Sequence, residues 1–407
     1  MKADRSPRPI KAGPLKSGLP KTDQSNSGPS HSRPAKSRTA KHNSVNRLNN
    51  VKPASGHTAG LNGQSGHKKT SGPKVTSAAG RKAKAKSSTR PSPKPGRVKH
   101  LTSVFDLTPE DVQDVLAISA DLKARLARGD RPPLLQGHVL TLVFEKPSLR
   151  TRNSFEAAAI QLGGGSVFLS TQDAGLNGRE SLADIARVLS AYSDAIVMRT
   201  FRQSLIEEFA RLASCPVVNG LSDELHPCQA LTDLFTIQEA FGRLAGLRIV
   251  YVGDGNNVAA SLAMVAAYAK MPITLCSPRG YELSASFLRD VRRRFPEVDL
   301  ELTDDPFRAV KNADIVYTDV WASMGQESQA EAREKVFASY QVNKTLMAAA
   351  PKSARFMHDL PAKRGLEVTD EVMDGPQSIV FRQAENRMHL AKGLLVWLLD
   401  EGVPHAT

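Results

Sequence analysis

The sequence is expected to fold as α/β, with two doubly wound parallel-sheet domains joined by helices and preceded by a disordered basic N-terminal tail. Three observations lead there. Apolar runs of strand length alternate with helix-period stretches from about residue 105 onward, the alternating region fills residues 101–407, and the composition breaks sharply near residue 100. Strands buried on both faces and separated by helices make parallel sheets covered on each side. A segment of this length exceeds what one open sheet usually holds, so we divide it near residues 238–246.

The tail is set apart by charge. Residues 1–100 hold 23 Lys and Arg against two acids, Asp4 and Asp23, a net +21, whereas residues 101–407 are net −7. The overall pI near 9.7 is therefore a property of the tail. Without Phe, Trp, Tyr or Cys and with eleven prolines, it cannot bury enough apolar surface to offset backbone ordering entropy. Its Lys, Arg, Ser and Pro content would suit salt-sensitive contact with nucleic acid or an acidic surface, and partly suits a transit segment; a solvated extension is the plainer alternative. No stretch reaches the roughly 18 apolar residues of a membrane helix, and no apolar signal segment opens the chain, so a cytoplasmic protein is expected. Cys215, Cys228 and Cys276 have no ligand spacing, which points to a reducing compartment and no metal.

Each element has a local reason. Thr108 and Pro109 read as N-cap and first helical residue, and Val112, Val115, Leu116, Leu122 and Leu126 recur at helical spacing until Gly129. Val139–Phe144 is an apolar strand, followed by a helix through Phe155, Ala159 and Leu162 that stops at Gly163–Gly165. Further strands are expected at Ser166–Leu169, Ala195–Met198, Val217–Val218, Arg248–Val252, Ile273–Cys276, Val298–Leu302, Ile315–Thr318 and Phe356–Met357, with a final helix at Glu385–Leu399.

Ligands of such sheets bind beyond the carboxyl ends of the strands. Ser148-Leu149-Arg150-Thr151-Arg152 stands there, at a strand-to-helix turn where amide N–H groups, hydroxyls and guanidiniums can converge on one anion. The triphosphate-binding Gly-x-x-x-x-Gly-Lys-Ser/Thr loop is absent, which favours a small phosphate monoester or anhydride over ATP. Arg199 follows a strand and is either a second anion ligand or a surface arginine. His226 and Gln229, one turn apart, can present an imidazole and an amide on one helix face. Gly253-Asp-Gly-Asn-Asn257 lacks a third glycine at Val258, and the next strand ends in Cys276-Ser-Pro-Arg without an acidic ribose ligand, which argues against a dinucleotide site. Asp319 is either a ligand residue or a helix N-cap.

Phe144-Glu-Lys-Pro-Ser-Leu-Arg-Thr-Arg152 resembles the carbamoyl-phosphate signature of the aspartate and ornithine carbamoyltransferases. The resemblance continues, in the family's order, through Met198-Arg-Thr-Phe, His226-Pro-Cys-Gln229, Gly253–Asn257, Asp319-Val-Trp-Ala-Ser-Met-Gly325, His358-Asp-Leu-Pro361 and Ala384-Glu-Asn-Arg387. It implies a carbamoyl-phosphate-binding domain at 101–240, an ornithine-binding domain at 241–385 and a terminal helix at 386–407 returning to the first domain. It further implies carbamoyl phosphate held by Ser148, Leu149, Arg150, Thr151, Arg199, His226, Gln229, Leu360 and Arg387, with Arg199, His226 and Asp359 catalytic. Ornithine would be held by Asn257, Asp319, Ser323 and Met324, in a homotrimer that needs no cofactor and makes citrulline for arginine biosynthesis.

Three positions depart from the family pattern. Leu149 stands where a Thr is usual, Asp359 where a Cys is usual, and Gly175 near the place of a Gln that reaches a neighbouring subunit's site. A carboxylate beside the attacking amine favours its ammonium form unless the carboxylate is protonated or takes the amine's proton. Transfer to another amine acceptor, or a non-catalytic binding role, therefore stands beside ornithine transfer.

Overall fold

The computed structural model describes residues 98–400. The expectation of a disordered tail falls on residues 1–97 and lies outside the described residues. The described chain engages the fold at once, because His100 Nδ1 accepts from the Val217 amide at 3.2 Å and Leu101 bridges Val218 in parallel.

The α/β alternation is present. In the first half, α1 (Pro109–Ala127), β1 (Val139–Phe144), α2 (Leu149–Gln161), β2 (Gly165–Ser170), α3 (Leu182–Tyr192), β3 (Ala195–Arg199), α4 (Gln203–Leu212), β4 (Val217–Leu221) and α5 (Pro227–Phe241) follow in order. In the second come β5 (Ile249–Val252), α6 (Asn257–Tyr268), β6 (Ile273–Cys276), α7 (Ala285–Arg294), β7 (Leu300–Thr303), α8 (Pro306–Val310), β8 (Ile315–Tyr317), α9 (Ala330–Phe337), α10 (Lys344–Ala349), β9 (Arg355–Met357) and α11 (Asp370–Met373). The last helix, α12, spans Val380–Leu399. Among the described residues no helix is long and apolar enough to cross a membrane.

Helix α1 shows how local chemistry sets the ends. Thr108 Oγ1 accepts from the Asp111 amide at 3.2 Å while Asp111 accepts from the Thr108 amide at 2.8 Å, so two otherwise orphaned donors are satisfied reciprocally. Three elements differ most from expectation, one being β4, which runs from Val217 to Leu221 rather than ending at Val218. β7 lies two residues beyond the start of the expected Val298–Leu302 run, and α12 begins at Val380 rather than Glu385. The Ile379-Val-Phe381 stretch has the look of a strand, but Val380 is fully buried against the second sheet's core while the helical hydrogen bonds are already in place.

Both sheets are wholly parallel, ordered β2-β1-β3-β4 and β7-β6-β5-β8-β9. Chain order reverses direction between β1 and β3 in the first sheet and between β5 and β8 in the second, and each reversal opens a crevice at the strands' carboxyl ends. Helix α12 crosses back to pack on α1, α2 and α5. Its Gly393 makes that possible, because a Cβ there would sit 2.1 Å from Ser119 Oγ of α1. Leu390, Leu394 and Leu395 are then buried against Val115, Leu116 and Leu122, each worth about 1.5–3 kcal/mol of transfer free energy.

Candidate active site

The two crevices open onto one cleft of about 880 Å³. Its first wall is the β1–α2 turn. Ser148 caps α2, its Oγ accepting from the Thr151 amide at 3.2 Å, so the helix N-terminus and the Arg150 side chain face the cleft together. The Leu149 side chain is 74% exposed and does not line the cleft, which leaves that residue only its backbone to offer.

Arg199, at the end of β3, is buried, which excludes the surface-arginine alternative. Its guanidinium donates to Thr151 Oγ1 at 3.4 Å, and Arg387 of α12 donates to the same oxygen at 3.3 Å. Arg387 also donates to Gln229 Oε1 and, at 3.3 Å, to His226 Nε2. That contact makes Nε2 an acceptor and places the imidazole proton on Nδ1. Burial, then the Arg387 and Arg199 charges, hold His226 well below the usual histidine range, so the ring is neutral. Burial and the neighbouring Arg387 likewise bring Arg199 down to about 10. Neither His226 Nδ1 nor Arg199 Nε has a hydrogen-bond partner among the described residues. Two guanidiniums on one hydroxyl, with Arg150 lining the same cleft and two donors unfilled, suit an anion.

The opposite wall is acidic. Gly255 lets the β5–α6 turn lie against the next loop, since a Cβ there would meet the Leu283 amide at 2.4 Å. The motif's glycine serves close backbone approach. Asn256, which sequence reasoning passed over, caps α6 and donates to Asp319 Oδ2 at 2.6 Å, while Asn257 donates to the Ser222 carbonyl at 2.6 Å and lines the cleft. No helix begins at Asp319, so the N-cap alternative falls; the residue is buried after β8. Ser323 and Met324 line the cleft on the loop that follows, which is tied down by the Arg333–Asp254 ion pair at 2.9 Å and by Arg333 donating to the Trp321 carbonyl at 2.8 Å.

Asp359 and Leu360 follow β9. The Leu360–Pro361 peptide is cis and Leu360 has φ +61°. His358 Nδ1 accepts from the Leu360 amide at 2.9 Å and its Nε2 lies 3.2 Å from Glu367, so the ring is clamped between the turn and a fully buried carboxylate. Asp319, His358 and Asp359 approach within 4.8 Å of one another. Burial and the Asp359 charge push Asp319 well above the usual carboxylate range. Burial would raise Asp359 too, but the His358 ring and a hydrogen bond from Asp319 bring it down to about 2. The two shifts thus run in opposite directions, Asp319 favouring its protonated form and Asp359 its ionised form. Asp359 Oδ1, a buried atom, has no hydrogen-bond partner among the described residues, and His358 Nδ1 lies 3.6 Å from it.

The structure thus gathers Ser148, Arg150, Thr151, Arg199, His226, Gln229, Asn257, Asp319, Ser323, Met324, Asp359, Leu360 and Arg387 around one space. Sequence reasoning missed Lys146, a buried cleft residue paired with Asp223 and stacked 4.4 Å above the Phe201 ring. It stood inside the quoted signature, and its charge was the signal. Cys228 packs as expected: buried, its thiol is pushed up to about 12 and points at the Asn219 carbonyl. Gly175 has φ +74° and lies outside the cleft lining.

A two-sheet α/β fold with an anion cup facing an acid pair defines a protein that brings an anionic donor to a cationic acceptor. Residues 99–239 match the aspartate/ornithine carbamoyltransferase carbamoyl-P binding domain, and residues 245–398 match the Asp/Orn binding domain of the same family. The chain belongs to the aspartate/ornithine carbamoyltransferase family. It is 47% identical over 306 residues to the ornithine carbamoyltransferase of Bacillus subtilis (75% of this chain, 95% of that protein), and 48% identical over 303 residues to that of Methanopyrus kandleri (74% and 97%). Among solved structures it resembles ornithine carbamoyltransferase from Pyrococcus furiosus, with TM-score 0.72 and 45% identity over 75% of this chain and 98% of that one. The Giardia lamblia ornithine transcarbamoylase gives 0.68 and 29% over 76% and 100%.

Proposed function

We propose that the protein transfers the carbamoyl group of carbamoyl phosphate to the δ-amine of L-ornithine, giving L-citrulline and phosphate. The observation that carries this reading is the pairing in one cleft of unfilled guanidinium and imidazole donors with an unfilled carboxylate acceptor. It is supported by relatives, at 46–48% identity, that bear the name ornithine carbamoyltransferase.

In this reading the phosphate sits at the N-terminus of α2 against Ser148, the Leu149 amide, Arg150, Thr151 and Arg199. The carbamoyl group lies between His226, Gln229, Arg387 and the backbone of Leu360. Ornithine spans the acidic wall, its α-carboxylate toward Asn257 and its α-amine toward Asp319, Ser323 and Met324. The δ-amine attacks the carbonyl carbon. Arg199, Thr151 and the Nδ1–H of His226 stabilise the oxyanion as the carbon becomes tetrahedral, and phosphate leaves with the C–O bond electrons. The amine must be neutral to attack although its reference pKa is near 10.4; ionised Asp359 beside it opposes this by favouring the ammonium form, and the departing phosphate takes the proton the amine sheds.

Purified protein is expected to form citrulline from ornithine and carbamoyl phosphate. Turnover of a different amine without citrulline would redirect the reading to another acceptor, and a melting temperature raised by carbamoyl phosphate without any turnover would make the protein a binding paralogue.

The same reading includes a homotrimer serving arginine biosynthesis in the cytoplasm. Val167, Val188 and Tyr192 leave apolar surface exposed around the edge strand β2 and helix α3, which supports self-association, and the three cysteines are buried free thiols. Sedimentation equilibrium tests the trimer. For the basic segment we propose contact with nucleic acid or an acidic surface, tested by salt-dependent retention on immobilised DNA.

A further inference from the structure

Two asparagines adjoin at the β5–α6 turn, and their side chains have different partners. Asn257 donates to the Ser222 carbonyl at 2.6 Å. Asn256 is held by its carboxamide oxygen, which accepts from the Val258 amide at 3.0 Å, the Ala259 amide at 3.1 Å and the Tyr251 hydroxyl at 3.2 Å. Three donors on one oxygen settle which end of the amide is which. The nitrogen must then face away from the helix, and it donates to Asp319 Oδ2 at 2.6 Å. Tyr251 is fully buried and stacks on Tyr317 with 5.9 Å between ring centroids, so the hydroxyl that steadies the amide is anchored in the sheet. Capping a helix needs only an oxygen, which Ser, Thr or Asp supplies as well. Among the good caps, Asn alone pairs an accepting oxygen with a separate donating nitrogen. Burial and the Asp359 charge favour the protonated form of Asp319, so this carboxyl gains most from a cation brought beside it. A lysine or arginine at position 256 would itself be that cation. The neutral amide aims the carboxyl and leaves its charge to be answered from the cleft.

We propose that Asn256 is a positioning residue for the acceptor's α-amine: it aims the Asp319 carboxyl, and so sets the preference for an α-amino acid over an acceptor that carries only the reacting amine. The proposal rests on the carbamoyl-transfer reading above and adds to it a residue that acts through Asp319 rather than on the reacting atoms. The α-amine and the reacting δ-amine stand at opposite ends of ornithine. Loss of the aim should therefore weaken ground state and transition state alike, and appear in KM rather than in kcat.

Steady-state kinetics with ornithine and with 5-aminopentanoate, which is ornithine without its α-amine, tests this. The unaltered protein is expected to favour ornithine by more than about tenfold in kcat/KM, since a charged hydrogen bond is at stake. Asn256→Ser keeps a capping oxygen and loses the donor. It should raise the KM for ornithine about tenfold, with kcat and the KM for carbamoyl phosphate each within about threefold. In an Asp319→Asn background the same substitution should change kcat/KM for ornithine by less than about twofold, because its route to the ligand is gone. A role confined to capping α6 would give an equal effect in both backgrounds. Should Asn256→Ser fail to fold, Tyr251→Phe removes one hydroxyl from the same amide and is expected to raise the ornithine KM about threefold at unchanged kcat. Equal use of the two acceptors by the unaltered protein, an unchanged ornithine KM in the folded variant, or an undiminished effect beside Asp319→Asn overturns the proposal. A protein that carbamoylates neither acceptor overturns the carbamoyl-transfer reading itself.

Discussion

The two walls of the cleft are built by opposite rules. The donor wall draws its groups from four separate elements, the β1–α2 turn, the end of β3, the start of α5 and the middle of α12, and it leaves N–H donors unfilled. The acceptor wall clusters its acids after β8 and β9, ties them to one another, and leaves a carboxylate oxygen unfilled. Each wall lacks what the other has in excess, and the Asp359 charge reaches across to Arg150 and Arg199. The lesson is that each wall carries charge suited to a ligand group of the opposite sign.

Removing one guanidinium should break the comparison most severely. Arg199→Met is expected to lower kcat/KM by about 10³-fold in a citrulline assay, because it deletes both a phosphate contact and an oxyanion donor; a loss below tenfold would contradict the anion cup. On the other wall, Asp359→Cys removes the charge that favours the ammonium form of the acceptor. Turnover at neutral pH should rise several-fold, and the ascending limb of the rate against pH should move down by about one unit, since a carboxylate raises and its loss lowers the pKa of a neighbouring amine. An unchanged or slower enzyme would show that the carboxylate is the proton acceptor on which this protein depends.

Asp233 sharpens the contrast through stability. Burial pushes its carboxyl up to about 8, so the folded chain keeps a proton that the unfolded chain releases above about pH 4. The stabilisation from that proton is complete below pH 4 and is lost as pH climbs to 8. Asp233→Asn cannot lose a proton, so its melting temperature relative to the unaltered protein should be higher at pH 8 than at pH 5, by about 3 °C or more. The smallest effect belongs to Leu149→Thr, which should shift the KM for carbamoyl phosphate less than about threefold because the side chain faces solvent.

Legibility in the sequence followed the distance over which each contact is made. Ser148, Arg150 and Thr151 were readable as an anion site because strand, cap and helix adjoin in the chain. Arg387 reaches Thr151 across 236 positions, and only resemblance to a family could bring it in. Lys146 stood inside the signature, but its pairing with Asp223 spans 77 positions and that of Gln383 with Asp233 spans 150, so neither pairing carries a local pattern. Residue type alone could not decide whether Arg199 lay on the surface or Asp319 capped a helix; burial after β3 and β8 decided both.

Helix α12 has a consequence for biosynthesis. It is the last element of the described chain, yet it supplies Arg387 to a pocket whose donor-side groups from Ser148 to Gln229 are translated well before it. A growing polypeptide can thus finish its first sheet on the ribosome and still be blind to the donor. The donor wall is complete only when the final helix docks and brings Arg387 to Thr151 and Gln229.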